Sequence, residues 1–260
     1  MKIKKVANLF FVWCFIFLTF QVSFAAHPLI TDDAGTQGKG KFQVELNGEY
    51  GREKEHGLRE GTFEISSIFS YGLLDHLDVV LSVPYQFIRT KEEGEGGWVT
   101  NRENGFSDIS FEVKWRFYEI EGFSFALKPG ITLPAGNERK GLGAGRVTYS
   151  FHSIVTKEIG PLAFHANFGY FRNENKVNER KDLWHVSLAT EVEVVKDLKI
   201  VGNIGMERNP EKDSHRNPAF LLGGVIYSVT ENLVLDFGVK YGLNKPETDY
   251  TLLVGISFRF

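Results

Sequence analysis

The sequence has a single cysteine among its 260 residues, Cys14, which lies in an apolar stretch near the amino terminus. Without a second thiol no disulfide can form within the chain, so stability has to come from a large regular fold. Beyond that stretch no run of 18 apolar residues occurs, which excludes a spanning helix there. The formal net charge is only −3, and a basic surface that would bind nucleic acid is therefore not expected.

Residues 1–25 have the pattern of a secretory signal peptide. Three lysines precede an apolar run over residues 9–20, and Ser23 and Ala25 supply the small residues of a cleavage site. A membrane anchor is the alternative interpretation, although the run is short for one. Cleavage of this signal peptide would leave a mildly acidic mature chain without a thiol.

Apolar and polar residues alternate along most of the remaining chain. In 77–87, 109–117 and 250–260 every second residue is apolar, and a period of two is that of a β-strand. About twelve such segments follow one another. Their predicted first residues are Lys41, Thr62, Leu77, Phe106, Phe123, Val147, Leu162, Asp182, Leu198, Pro218, Leu233 and Asp249.

The connections between these segments alternate in length. Short turns are predicted at 73–76, 119–122, 158–161, 196–197 and 230–232. Longer polar loops are predicted between them, at 52–61, 91–105, 134–146, 173–181 and 209–217, and the final connection at 244–248 is shorter but polar. Antiparallel barrels of outer membranes have this arrangement, with periplasmic turns and extracellular loops. We therefore predict an all-β fold, a transmembrane antiparallel up-and-down β-barrel of about 12 strands over residues 41–260.

A soluble β-sandwich or a lipocalin-like barrel would show the same alternation, with the apolar faces turned inward. Aromatic residues toward the ends of the apolar faces favour a membrane barrel, because they resemble interface girdles. Charged residues on the opposite faces favour it too, since such faces can line an aqueous bore. The residues predicted to line the bore are Glu64, Asp108, Glu112, Lys114, Arg116, Lys128, His152, His165, Glu191, Glu193, Lys199, Asp236 and Lys240.

Residues 27–40, with the sequence HPLITDDAGTQGKG, resemble the opening of a large family of outer-membrane transporters named after the MetA pathway of phenol degradation. The stretches at 82–85 (SVPY) and 133–137 (LPAGN) are similar to internal landmarks of that family. The resemblance covers nearly the whole mature chain. It implies a β-barrel with a transport role, and it carries over no binding residues and no proven substrate.

The segment 26–40 precedes the first predicted strand and contains Asp32 and Asp33. One hypothesis is that it folds into the bore as a plug, with one of these carboxylates paired to a lysine or arginine of the lumen. The alternative is a periplasmic linker. Pro84 lies within a predicted strand and cannot donate to the ladder, so a bulge or kink is expected there.

No enzyme motif is convincing. The glycine-rich stretch 141–145 lies in a loop with no helix after it, and His152 and Ser153 are neighbours in a strand and point to opposite faces. His152 and His165 are expected to be diagonal partners on adjacent strands, but two imidazoles without a third ligand make a poor metal site. We therefore expect no metal, no cofactor and no catalytic residue.

These observations together predict an outer-membrane channel for passive uptake or export of a small, hydrophobic or aromatic, solute. A non-conducting structural or surface-binding barrel is the alternative, and an outer-membrane enzyme is a more distant one. The expected partners are outer-membrane lipid, the solute, and the barrel assembly machinery, through the last strand that ends in Phe260. The argument for a hydrophobic solute rests on the family resemblance and on apolar residues of the inner faces, namely Phe171, Phe220, Leu222, Ile226 and Leu253.

Overall fold

The computed structural model describes residues 27–55, 57–94 and 96–260, and the predicted signal peptide lies outside these residues. The described chain is almost entirely strand, with one short 3-10 helix at Glu138–Lys140. The strands are β1 (Phe42–Glu55), β2 (Leu58–Leu74), β3 (Leu77–Gly94), β4 (Gly97–Phe106), β5 (Ile109–Ile120), β6 (Phe123–Leu133), β7 (Thr148–Ile159), β8 (Leu162–Arg172), β9 (Asp182–Val195), β10 (Leu198–Glu207), β11 (Ala219–Ser228), β12 (Leu233–Gly242) and β13 (Tyr250–Arg259).

The sheet closes on itself. Consecutive strands pair antiparallel, except that β3 pairs with both β4 and β5, and β1 pairs with β13 to complete the ring. At this seam the backbones of Phe42 and Phe260 exchange two hydrogen bonds, of 3.1 and 2.9 Å. Closure leaves no open sheet edge around the ring, which is the condition for a sheet to cross a lipid bilayer.

Twelve strand positions make up the ring, because β4 and β5 are two parts of one strand. β3 pairs with β4 from Tyr85 onward and with β5 up to Ser82, and the interruption falls at residues 107–108 of the facing strand. The predicted twelve-stranded antiparallel barrel is thus confirmed. All but the second and the fourth predicted strands begin within one residue of the observed ones.

The irregularity expected at Pro84 occurs on the strand opposite it. β3 itself continues through Pro84, whereas the facing strand contains one extra residue between its two paired stretches. The backbone N–H of Ser107 still donates to the carbonyl of Pro84, at 2.9 Å. A proline cannot donate in return, so the facing backbone has no ladder bond to accept from it and can bulge.

Two of the predicted loops are wrong. The described parts of 52–61 and 91–105 form the ends of two long hairpins, β1–β2 and β3–β4. Gly57, just before β2, and Gly97, the first residue of β4, have positive φ. Apart from Leu58, Trp98 and Val99, the described residues of these hairpin ends are polar, charged or glycine. A strand that extends above the membrane needs no apolar face, so the alternation that identified the other strands is lost while the pairing continues.

Alternate residues of the strands differ in burial in the way that a membrane barrel requires. Inward residues such as Asn47 and Ser257 are buried, whereas large apolar residues such as Leu188 (60% exposed) and Val254 (51%) cover the outer surface. A soluble barrel would have the opposite orientation. No helix in the described residues has the length and apolar character needed to cross a membrane.

A charge on this outer surface is expected to be costly. Phe237 lies on the outer face near the middle of β12, and Phe237→Arg should lower the free energy of unfolding by about 2–4 kcal/mol, because the guanidinium would face acyl chains. Ser82→Arg, on an inward position of β3, is the control and should cost much less. Urea titration in lipid vesicles measures both. Equal losses would contradict the assignment of the two faces.

Candidate functional site

Residues 27–40, called the inner segment below, lie within the barrel. Thr31 and Ala34 are fully buried, and Asp33 is only 1% exposed. At one end of the inner segment, His27 Nδ1 lies 2.5 Å from Asp236 Oδ1 of β12. At the other end, Gly40 N donates to the carbonyl of Gly72 at 2.7 Å, directly before the chain enters β1. The inner segment therefore occupies the part of the bore that leads to the end of the barrel with the short turns.

Side chains of the wall satisfy the backbone of the inner segment, which has no secondary structure of its own. Asn203 of β10 accepts from the N–H groups of Ile30 and Thr31, at 2.8 and 3.1 Å, and its amide donates to Thr31 Oγ1 at 2.7 Å. Further along, Ala34 N donates to Thr156 (2.9 Å), Gln37 N to Asp78 (2.8 Å) and Lys39 N to Asp75 (3.1 Å). Buried backbone groups need such partners, so these polar wall residues hold the inner segment at a defined position.

Apolar contacts anchor the same segment. Leu29 packs against two clusters on the inner wall, Val201–Ile226–Val234 and Phe220–Leu222–Leu253. Four of the five apolar residues that suggested a hydrophobic solute therefore belong to clusters that contact Leu29. Their presence on the inner face is explained by packing of the inner segment, which removes most of that argument for a hydrophobic solute.

The inner segment approaches the wall where the wall has glycine. A side chain at Gly72 would overlap the carbonyl oxygen of Gly38, and a Cβ at Gly238 would lie 2.7 Å from the ring of Pro28. A Cβ at Gly224 would meet the same proline ring at 2.8 Å. These glycines make room for the inner segment at both of its ends.

Asp32 is the electrostatic centre of the inner segment. Its carboxylate accepts from Lys114 Nζ at 2.9 Å and from Lys128 Nζ at 3.1 Å, and Lys128 also pairs with Glu112 at 3.0 Å. Burial disfavours the ionised carboxyl, but the two ammonium groups outweigh burial and hold the pKa of Asp32 well below its ordinary value. A negative charge on the inner segment is thus held between β5 and β6.

Asp33 is in a different environment. Burial raises the pKa of its carboxyl to about 6, and the charge of Asp32 acts in the same direction, while Lys114 at 3.5 Å opposes it. Gly35 N donates to Asp33 Oδ1, whereas Oδ2 has no hydrogen-bond partner among the described residues. Two adjacent carboxyl groups therefore have opposite pKa shifts because only Asp32 lies between two lysines.

The other residues predicted to line the bore fall into separate groups. Glu191 pairs with Lys199 at 2.9 Å and lies 3.6 Å from the imidazole of His165. Glu64 accepts from Gln86 at 2.6 Å. The remaining charged groups have partners near the strand ends, with Lys240 on Glu247 (2.9 Å), Arg116 on Glu119 (3.1 Å) and Glu193 accepting from Asp197 N (3.4 Å).

The predicted arrangement of the histidines is wrong. In the register of β7 and β8, His165 lies opposite Thr156 and accepts or donates a hydrogen bond there at 2.9 Å, four residues along the strand from His152. His152 instead lies level with His185, across Gly169 of β8. Within the described part of the chain, no group of three or more His, Cys, Asp or Glu side chains is arranged to hold a metal ion.

Asp108 has a structural role that the sequence did not indicate. Its two carboxylate oxygens accept from the backbone N–H groups of Gly136 and Ala144, at 2.9 and 2.8 Å. Ser107 Oγ donates to the carbonyl of Leu142, and Leu142 as a residue is only 3% exposed. The β6–β7 loop is therefore tied back to the wall at the interruption between β4 and β5. The LPAGN and glycine-rich motifs mark this loop, because side chains at residues 136 and 143 would collide with it or with the carboxylate.

A cavity of about 300 Å³ lies between the inner segment and the wall formed by β1, β2, β3, β5 and β6. It follows the inner segment from His27 to Gln37. On the wall it is lined by Gln43, Glu45, Asn47, Glu49, Ile68, Ser70, Asp78, Val80, Lys114 and Lys128. The inner segment thus narrows the bore without filling it.

A closed sheet with an apolar exterior and a polar, charged interior is that of an outer-membrane β-barrel. The chain belongs to the family described as "Putative MetA-pathway of phenol degradation", whose pattern matches residues 25–260. No curated protein matches the sequence significantly. The resemblance seen in the opening segment is therefore confirmed.

Solved structures of outer-membrane barrels have the same fold. The COG4313 outer membrane channel from Pseudomonas putida F1 is 14% identical, with a TM-score of 0.67 over 88% of this chain and 98% of that chain. The KdgM porin is 9% identical, with a TM-score of 0.57 over 84% and 99%, and the NanC porin is 10% identical, with a TM-score of 0.53 over 83% and 98%. This fold and the apolar outer surface place the chain in the outer membrane.

Gly72→Ala is expected to displace the inner segment, because the new methyl group would occupy the position of the Gly38 carbonyl. Proteolysis of residues 27–40 from the side of the short turns should become faster while the barrel remains folded. Gly223→Ala is the matched control, since nothing lies within 4 Å of a Cβ at Gly223. Equal cleavage of the two variants would contradict the described position of the inner segment.

Asp32→Asn should loosen the inner segment by about 1.5–3 kcal/mol, since two charge-assisted hydrogen bonds lose their ionised acceptor. Hydrogen exchange of the amides of residues 27–40 measures this, and their protection should fall roughly tenfold or more. Asp213→Asn, in an exposed loop, serves as the control. Unchanged protection at Asp32→Asn would show that the lysine pairs do not hold the inner segment.

Proposed function

We propose that this protein is a passive outer-membrane channel for small solutes, in which the inner segment restricts the bore. The observation that carries the proposal is a closed, polar-lined bore that the inner segment narrows, with a cavity of about 300 Å³ left beside it. Twelve strands enclose more space than the eight of a side-chain-filled barrel and less than the 16–18 of open porins. A restricted aqueous path fits this intermediate size.

An aromatic solute is supported by the description of the family and by a ring pair near the extracellular ends of β7 and β8. There the imidazole of His152 meets the ring of Phe171 edge-on, with their centroids 5.1 Å apart. Aromatic rings prefer such edge-to-face contacts, and an aromatic solute could add a further one. We therefore place small aromatic molecules first among the candidate solutes.

A non-conducting barrel is the second candidate, because the inner segment is anchored at many points rather than loosely held. An enzymatic role has no support, since His152 and Ser153 occupy opposite faces of β7. Recognition of the last strand and Phe260 by the assembly machinery stays a prediction, as does the cleaved signal peptide.

Deletion of residues 31–37 is expected to increase single-channel conductance severalfold, because it removes the buried centre of the inner segment together with Asp32. A deletion of residues 211–215 in an exposed loop is the control and should leave conductance nearly unchanged. Both variants are measured in planar bilayers beside the wild type. If the deletion of 31–37 gave the wild-type current, the restricting role of the inner segment would be excluded.

Swelling of liposomes that contain the wild-type barrel tests the solute class. A panel of phenols, fatty acids and sugars of similar size should give faster swelling with phenols than with sugars. A barrel that gave neither swelling nor current would be the non-conducting alternative.

A further inference from the structure

The cavity beside the inner segment has an unequal balance of charges. Its lining includes five carboxyl groups, those of Asp32, Asp33, Glu45, Glu49 and Asp78, and two lysines. Both lysines pair with Asp32, and one of them also pairs with Glu112. The three carboxyl groups on β1 and β3 form no ion pair with a lysine or arginine among the described residues. Lys114 faces Asp78 across the β3–β5 ladder, but carboxyl groups outnumber lysines in the lining.

These wall residues also make polar contacts with one another and with the inner segment. Glu45 accepts from Gln43 at 2.6 Å, and Asp78 Oδ2 accepts from Gln37 N at 2.8 Å. Arg259 of β13 reaches the same wall and donates to Gln43 at 2.8 Å. Glu49 lies 4.0 Å from the imidazole of His27.

Three buried oxygens at the cavity have no hydrogen-bond partner within the described chain: Asp33 Oδ2, Asn47 Oδ1 and Asp78 Oδ1. Their residues are only 1%, 5% and 2% exposed. Buried polar atoms normally have a partner, so three unpartnered acceptors around one cavity indicate that the cavity holds something that is positively charged or donates hydrogen bonds.

His27 lies at the end of the cavity between two carboxylates, with Nδ1 2.5 Å from Asp236 Oδ1 and Nε2 4.0 Å from Glu49 Oε1. The three unpartnered oxygens of Asp33, Asn47 and Asp78 are hydrogen-bond acceptors. They favour a cation, or a molecule that donates hydrogen bonds, over an anion as the occupant.

The size of the cavity indicates whether such a cation would be bare or hydrated. About 300 Å³ corresponds to roughly ten water molecules in the liquid, so the cavity can hold an ion together with part of its hydration shell. In the residues that the structure describes, no three acidic or histidine side chains converge closely enough to replace that shell. Binding of this kind is weak and reversible, as passage through a pore requires.

We propose that this cavity is a site for hydrated monovalent cations and makes the restricted channel selective for cations over anions. The proposal rests on the channel function proposed above and adds the charge of the ions that pass the inner segment. The carboxylates of Glu45 and Glu49 provide the negative electrostatic potential. Along the same wall, Asn47 offers a neutral oxygen contact and Asp78 a charged one.

Reversal potentials in a KCl gradient across planar bilayers test the proposal. We expect a permeability ratio of K⁺ to Cl⁻ on the order of ten for the wild type, because an excess of carboxylates over ammonium groups raises the local concentration of cations. The double variant Glu45→Gln and Glu49→Gln should bring the ratio close to one. Both changes keep the shape of the side chain, so the barrel should fold normally.

Glu193→Gln is the matched control, because it removes one carboxylate from an exposed position at a strand end, outside the cavity. Its permeability ratio should stay at the wild-type value. A wild-type ratio of one or less, or a ratio that the double variant does not change, would overturn the cation site and leave the channel function standing. A wild type without any current would overturn the channel function and the cation route together.

Discussion

Every feature of this protein depends on the need to satisfy backbone hydrogen bonds within a lipid bilayer. Inside the hydrocarbon region an unpaired N–H or carbonyl has no water to bind, so the sheet has to close, and it does so where β1 meets β13. Closure at twelve strands fixes an inner face and an outer face for each strand. It also produces a bore too wide for wall side chains alone to fill. The inner segment takes up part of that space, and the polarity of the wall determines how it is held.

The inner segment brings buried charge into the bore, and the wall compensates for it in two ways. Asp32 lies between two lysines of β5 and β6, and a polar side chain such as Asn203 satisfies the backbone nearby. Leu29 adds apolar contacts with the opposite side of the wall. The compensation is uneven, because both lysines pair with Asp32, whereas Glu45, Glu49 and Asp78 form no ion pair with a lysine or arginine among the described residues. An electrostatic asymmetry of this kind turns a structural plug into an element that can discriminate between ions.

Much of the fold could be predicted from the sequence, because period-two alternation shows which face of each strand meets lipid. The alternation gave the strand number, most strand starts and the inward position of residues such as Lys114. It failed for the hairpin of β3 and β4, where water lies on both sides and no alternation is required. It also could not give the register between strands, which separates His165 from His152, or the return of the β6–β7 loop to Asp108. The pairing of the inner segment with lysines was foreseeable as a hypothesis, but its partners depend on how strands far apart in sequence meet across the bore.

The interruption beside Pro84 also bears on how much of the barrel can be surrounded by acyl chains. Beyond Leu133, where β6 ends, β4 has β3 as its only strand neighbour among the described strands, so one of its edges has no strand partner. Such an edge is tolerated in water and not among acyl chains. The end of β6 therefore marks the highest level that the hydrocarbon can reach on this side. The length of a single strand thus limits how high acyl chains can reach on this side of the barrel.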